Sequence, residues 1–211
     1  MIAIVKVMSA NQNSIELASN ILLEGGVVCI PTDTVYGLAA SAVDPDAIAS
    51  VFNIKGRMKT EPLPLLVDCS ERIVPYVKRF SSRSFELAEK YWPGALTIIF
   101  EKSNLIPDTV TAGMDTVGFR VPDHFVPAKI SSMIEGPVTG TSANKSGCKP
   151  ATSAEEAYEQ LVNTDVDLIL DSGPCEHAKP STIVDGTGAE LKVLREGMIS
   201  KKEILRTLRS M

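Results

Sequence analysis

The amino-acid sequence predicts one α/β (α+β) domain, residues 1–211, in which helices flank a mixed β-sheet. Helical and strand periodicities alternate from one end of the chain to the other, without a linker or an internal repeat. A length of 211 residues suits one large domain better than two small ones. With 44% apolar and 22% charged residues, the composition is that of a globular protein and excludes a disordered chain.

Local signals place the first helices along the chain. Residues 14–24 carry apolar side chains at helical spacing and are followed by a glycine pair, which predicts a helix end. Asp44 directly before Pro45 is an N-cap signal for a helix that reaches about Asn53.

The remaining elements follow from the same kinds of signal. Ser153 and Glu156 match a capping box at the start of a helix over 153–161. Short apolar runs predict strands, and apolar stripes that end at glycine or proline predict helices. The other helices are 84–91, 124–134 and 200–208, and the strands are 27–30, 63–67, 96–101, 117–121, 138–141, 166–170, 182–184 and 191–194.

Charge and composition narrow the function classes. The net charge of −5 argues against a protein that coats nucleic acid non-specifically, although it is compatible with a local basic cleft. No apolar run approaches the ~20 residues of a membrane span, and the first residues lack the pattern of a secretion signal. We therefore expect a cytoplasmic protein without membrane contact. Two histidines and four scattered cysteines predict no protein-ligated metal site and no disulfide framework.

Three polar segments would fall at the ends of strands or helices, where open α/β sheets bind ligands. Residues 31–38 place two threonines and an aspartate after a buried strand, and the segment forms either a turn or a ligand site. Lys55 and Arg57 flank Gly56, where cations either complement the helix dipole or bind phosphates and carboxylates. Residues 140–147 form either a polar loop or an anion-binding loop.

Two arginines are further candidates. Arg120 has apolar neighbours in a predicted strand, and Arg195 closes the last strand in the same way. Each either extends to solvent or is held as a fixed cation at the sheet.

Six blocks of sequence occur in order along nearly the whole chain. They are P-T-D-T-V-Y-G-L at 31–38, K-G-R at 55–57, V-G-F-R-V-P at 117–122, S-A-N at 142–144 with S-G at 146–147, S-T-I-V-D at 181–185 and L-R-E-G at 194–197. In this order the blocks resemble the threonylcarbamoyl-AMP synthase family, the YrdC/TsaC-like enzymes, in its short single-domain form.

The resemblance implies a fold and a reaction. The fold would be one twisted α/β domain that encloses a large concave basic cleft. The reaction would join L-threonine, bicarbonate and ATP into threonylcarbamoyl-AMP with release of pyrophosphate. Mg²⁺ would accompany ATP, held mainly by phosphates and water. The implied partners are threonylcarbamoyl transferase proteins that modify adenosine 37 of tRNA, with weak RNA binding as a further expectation.

The resemblance also implies site residues. Lys55 and Arg57 correspond to catalytic residues, and no residue corresponds to a metal ligand. The implied ATP contacts are Lys55, Arg57, Thr116, Ser142, Asn144 and Arg195, and the implied L-threonine contacts are Thr32, Thr34, Arg120 and Ser181. The chain departs from residues common in the family at Glu61, Leu66 and Pro150. The competing interpretations are a non-catalytic RNA-binding module that uses the same cleft and, less favoured, a carbamoyl-group hydrolase.

Overall fold

The structure is a computed structural model that describes residues 5–56, 60–188 and 190–209. Within these residues the strands are β1 (Lys6–Ser9), β2 (Val28–Ile30), β3 (Gly37–Ala39), β4 (Leu65–Leu66), β5 (Leu96–Glu101), β6 (Thr116–Arg120), β7 (Val138–Thr139), β8 (Thr141–Ser142), β9 (Leu168–Asp171), β10 (Thr182–Asp185) and β11 (Lys192–Arg195). The helices are α1 (Gln12–Leu23), α2 (Pro45–Lys55), α3 (Ser82–Tyr91), α4 (Asp108–Thr111), α5 (Phe125–Met133), α6 (Ala154–Leu161) and α7 (Lys201–Arg209), with a 3₁₀ helix at Ser70–Tyr76.

The strands form two mixed sheets. The five-stranded sheet has the order β1-β9-β2-β3-β8, and the six-stranded sheet has the order β11-β10-β5-β6-β4-β7. Parallel pairs such as β1 with β9 and β10 with β5 alternate with antiparallel pairs such as β5 with β6. The predicted α/β class is confirmed, whereas the expected single sheet is replaced by two.

Gly140 divides the strand predicted over 138–141 between the two sheets. β7 pairs with β4, while β8 pairs with β3 of the other sheet. The Gly140 backbone donates to Pro64 O, and a Cβ at this position would lie 2.5 Å from Leu66 Cγ. Only glycine allows the chain to pass this close to β4 where it changes sheets.

Two apolar clusters hold the layers together. One contains α1, α5 and one face of the five-stranded sheet, with Ile15, Leu22 and Ile130 among its buried members. The larger cluster contains residues of both sheets and of α2, α3, α6 and α7, including Phe52 and Phe119. The six-stranded sheet buries one face in this larger cluster.

The predicted caps are largely confirmed. The Asp44 carboxylate accepts from the backbone of Asp46 and Ala47, and Gly56 ends α2 with a φ of 58°. Helix α2 therefore reaches Lys55, two residues past the predicted end. At α6, Ser153 accepts from Glu156 N as predicted.

The second half of the α6 capping box differs from the prediction. The Glu156 carboxylate accepts from the backbone N and the hydroxyl of Thr152, not from the backbone of Ser153. These two hydrogen bonds lower the pKa of Glu156.

Candidate functional site

A cavity of about 470 Å³ opens over one face of the six-stranded sheet. This volume lies in the range of small-molecule sites. Five predicted site residues line the cavity, although they come from segments that are far apart in the sequence: Thr34, Arg120, Ser142, Ser181 and Arg195.

The floor of the cavity is the sheet face that does not pack into the core. Because side chains alternate along a strand, Thr97 and Ile99 of β5 line the cavity while Ile98 between them is buried in the core. Gly118 of β6 lies opposite Ile99 and adds no side chain to the centre of this floor.

Arg120 is a buried cation at one end of the floor. Its Nε donates to Gly94 O at 2.8 Å, and its Nη1 donates to Thr34 Oγ1 at 2.8 Å. Its Nη2 forms an ion pair with Asp33 Oδ1 at 2.5 Å, and both side chains are almost fully buried. A guanidinium has five N–H donors, so two remain for a ligand after these three bonds.

Electrostatics at Arg120 reflect this burial. Desolvation lowers the pKa of Arg120, and the Asp33 carboxylate opposes that shift. Removal of Asp33 would leave a buried charge without compensation, which is costly. The ion pair therefore persists in the folded protein and, together with the hydrogen bonds to Gly94 O and Thr34, fixes the orientation of the guanidinium.

Ser181 and Arg195 lie at the β10–β11 side of the cavity. Ser181 Oγ lies 2.9 Å from Thr97 Oγ1, and Arg195 Nη2 donates to Ser181 O at 2.9 Å. Burial lowers the pKa of Arg195, and the positive charge of Arg120 lowers it further. Both arginines line the same cavity.

Thr182 joins the S-T-I-V-D block to the L-R-E-G block. Its hydroxyl accepts from the backbone of Gly197 and Ile199 and donates to Ile199 O. This arrangement holds the end of β11 against β10 and so sets the position of Arg195.

Lys55 and Asn144 lie behind the cavity wall, and neither lines the cavity. Lys55 is 3% exposed, and its Nζ donates to Ser142 O, Asn144 O and Asn144 Oδ1 at 2.5, 3.0 and 3.4 Å. Asn144 Nδ2 donates to the carbonyls of Lys145 and Cys148. The structure thus places Lys55, Ser142 and Asn144 together, with Ser142 between the other two and the cavity.

Three predicted site residues fall elsewhere. Thr32 is buried, and its hydroxyl donates to Val35 O and accepts from the backbone of Thr34 and Val35, so it shapes the turn rather than lining the cavity. Thr116 shares the floor face of β6 but lies roughly 13 Å along the strand from Arg120. Arg57 lies outside the described residues.

Sequence reasoning did not single out every lining residue. Thr97, Ile99 and Ile183 line the cavity but were not assigned to it, and Asp33, which lies in the candidate segment 31–38, was given no role although it orients Arg120. The three departures from the family pattern, Glu61, Leu66 and Pro150, all lie in the cavity wall. Thr97 and Ile99 carry a usable signal, because they alternate with core residues in a strand whose bounds were predicted correctly.

The described residues limit metal and membrane interpretations. Across residues 5–56, 60–188 and 190–209, no three His, Cys, Asp or Glu side chains are grouped as a metal site requires. No helix in these parts of the chain combines the length and apolar character that a membrane crossing needs.

Comparison with known proteins identifies the family. A family model for the Sua5/YciO/YrdC group, described as "Telomere recombination", matches residues 20–197. A Pyrococcus abyssi protein named threonylcarbamoyl-AMP synthase is 35% identical over 90% of this chain, which spans only 56% of that relative. A Methanocaldococcus jannaschii protein named putative threonylcarbamoyl-AMP synthase is 33% identical over 96% of this chain and 97% of its own length.

A solved structure agrees with these relatives. The crystal structure of P. abyssi Sua5 complexed with L-threonine superposes with a TM-score of 0.91 at 33% identity, covering 99% of this chain and 61% of that one. Because the family model matches most of the chain, and a relative covered over nearly its full length is 33% identical, this chain belongs to the Sua5/YciO/YrdC family, which includes proteins named threonylcarbamoyl-AMP synthase.

Proposed function

We propose that this chain is an L-threonylcarbamoyladenylate synthase, a nucleotidyltransferase that forms threonylcarbamoyl-AMP and pyrophosphate from L-threonine, bicarbonate and ATP. The observation that carries the proposal is the convergence of Thr34, Arg120, Ser142, Ser181 and Arg195 on one cavity. The names of the relatives support the reaction, and the complex of P. abyssi Sua5 supports L-threonine as the amino acid.

The threonine end of the cavity would lie at Arg120. The guanidinium is already fixed by Asp33 and Gly94 O, so its remaining N–H groups can bind a carboxylate without further loss of side-chain entropy. The hydroxyls of Thr34 and Ser181 lie in the same wall and would accept or donate hydrogen bonds to the amino acid.

The nucleotide end would use Ser142 and Arg195 for phosphate, with Thr116 farther along the same face. The amine of threonine would add to carbon dioxide, which bicarbonate supplies with loss of water, to give a carbamate. A carbamate oxygen would then attack the α-phosphorus of ATP while the bond to pyrophosphate breaks. Catalysis of this kind rests on positioning and charge neutralisation rather than on a covalent nucleophile.

Mg²⁺ fits this site as an ion that ATP carries. Glu61 is the one carboxylate among the described lining residues, so phosphates and water would supply most of the oxygen ligands that Mg²⁺ prefers. Bound Mg²⁺ would neutralise charge on the leaving pyrophosphate. Two arginines supply the positive charge of the described lining, and Arg57 lies outside the described residues. A basic character of the whole cleft therefore remains a prediction.

The proposal extends to partners and location. The product would pass to threonylcarbamoyl transferase proteins that act on tRNA, in the cytoplasm, and contact with RNA would be weak. Arg57 keeps its predicted role as a catalytic residue, and we expect Arg57→Ala to lower product formation by roughly 100-fold.

The test is release of pyrophosphate by the purified protein with ATP, Mg²⁺, bicarbonate and L-threonine. We expect release that requires every component, and no release when threonine is omitted. A protein that releases no pyrophosphate but binds RNA tightly and with strong salt dependence would be the RNA-binding module instead. Turnover without ATP would favour the hydrolase.

A further inference from the structure

We propose that Lys55 and Asn144 are positioning residues, which hold the segment 141–148 so that Ser142, and neither of these two side chains, touches the nucleotide. The inference rests on the proposed function for the identity of the ligand. It assigns different tasks to residues that the family pattern groups together.

The contacts of Lys55 carry the first step. Nζ donates to three oxygens of the segment 142–144, and the ammonium lies beneath this segment in the protein interior. An ammonium has three N–H donors and no acceptor. A phosphate could reach Nζ only by displacing a buried, charge-assisted hydrogen bond, which costs more than a neutral one.

The contacts of Asn144 carry the second step. Its Oδ1 accepts from Lys55, and both Nδ2 hydrogens are used by the carbonyls of Lys145 and Cys148. A donor-only ammonium on one side and two carbonyls on the other fix which way the amide points. Asn144 therefore has both of its donors occupied by the protein and closes the turn from inside.

Backbone hydrogen bonds show that the segment and α2 form one unit. Ser146 N donates to Lys55 O, and Ala143 N donates to Tyr36 O, which follows the threonine-rich turn. Ser142 faces the cavity from this fixed segment. In this arrangement the lysine acts on the ligand through the loop whose shape it determines.

The experiment measures amide hydrogen exchange over residues 140–148 in nucleotide-free protein, together with ATP binding by calorimetry. We expect Lys55→Met and Asn144→Leu to speed exchange at Asn144, Ser146 and Cys148 at least tenfold and to weaken ATP binding. We expect Ser142→Ala to weaken ATP binding with exchange unchanged. Lys145→Met is the matched control, because this neighbouring lysine is exposed, and it should alter neither quantity.

Two outcomes separate the proposal from its alternatives. If Lys55→Met weakens ATP binding while exchange over 140–148 stays as in the parent protein, Lys55 contacts the nucleotide and the proposal is wrong. If Lys55→Met fails to fold, Asn144→Asp decides. It keeps an acceptor for Lys55 but loses both donors, so the proposal requires faster exchange at residues 145–148. The exchange measurement needs no turnover, so it stands even if the pyrophosphate assay rejects the proposed function.

Discussion

Arg120 shows how a single residue can be prepared for a ligand before the ligand binds. Its planar group is held on three sides by Asp33, Thr34 and a backbone carbonyl, all inside the protein. Lysine carries the same charge but has a single terminal nitrogen and cannot reproduce this fork. The geometry, and not the charge alone, sets the threonine end of the site.

We expect Arg120→Lys to lower kcat/KM for threonine by about tenfold to a hundredfold, the effect of losing one to two charged hydrogen bonds. The KM for ATP should change little, because Ser142 and Arg195 are untouched. Steady-state pyrophosphate release at varied threonine measures the effect. Arg72→Lys is the control, since Arg72 pairs with Asp68 outside the cavity. Equal losses toward threonine and ATP would contradict this assignment.

At the scale of elements, glycine and capping residues set where the segments of the site meet. A Cβ at Gly197 would overlap Pro180 O and the carbonyl group of Ser181. The glycine of the L-R-E-G block is therefore required for β11 to approach residues 180–181, where Arg195 bonds Ser181.

We expect Gly197→Ala to lower the free energy of unfolding by about 1–3 kcal/mol, as overpacking does, and to weaken threonine binding because Ser181 is displaced. Urea unfolding and threonine titration measure the two effects. Gly188→Ala serves as the control, because a Cβ there meets its nearest neighbour at 3.4 Å, an ordinary contact. The interpretation of Gly197 fails if both variants are equally stable.

A histidine caps the N-terminus of helix α5 and links stability to pH. His124 Nδ1 accepts from Val126 N, and Nε2 lies 3.1 Å from Ser172 Oγ. Burial lowers the pKa of His124. On acidification the histidine binds its proton in the unfolded chain before it does so in the folded protein. The free energy of unfolding therefore falls as the pH drops from the unfolded-state pKa near 6.5 to the lower folded-state pKa, and below that pH this histidine causes no further loss.

We expect urea unfolding of the parent protein to show this loss between about pH 7 and pH 5. His124→Asn keeps an N-cap acceptor but does not titrate, so the variant should lose less stability over the same interval. Identical pH dependence in both proteins would show that another group is responsible.

The elements and the site differ in how far the sequence predicts them. Strand β5 and the cap of α2 were predicted closely, because an apolar run and the Asp44-Pro45 pair are local signals. Strand β1 was missed because Val7 and Met8 stand between Lys6 and Ser9, which leaves an apolar pair within the strand rather than an apolar run. Thr32 and Asn144 were assigned to ligands, yet their hydrogen bonds are internal, a distinction that depends on which way each side chain points.

At the scale of the whole molecule, the cavity lies where the two sheets meet. Thr34 and Ser142 come from the five-stranded sheet side, while Arg120 and Arg195 belong to the six-stranded sheet and Ser181 directly precedes its strand β10. A ligand that contacts all of them binds only the folded chain, because unfolding separates these segments.

We therefore expect threonine and ATP to raise the melting temperature. At a concentration of about 100 times Kd one ligand adds roughly 2.7 kcal/mol, or about 5–10 °C for a chain of this size. Differential scanning calorimetry measures the shift, with D-threonine as the control. A shift of equal size with D-threonine would argue against a stereospecific amino-acid site.

The alternation along β5 and β6 has a consequence for how such a protein can change over time. Positions 97, 99 and 118 line the cavity, while positions 98, 117 and 119 pack in the core beneath it. Replacements in the first set can reshape the chamber while the second set continues to hold the scaffold. New substrate preferences are therefore accessible by point substitution in the same two strands, without a redesign of the interior.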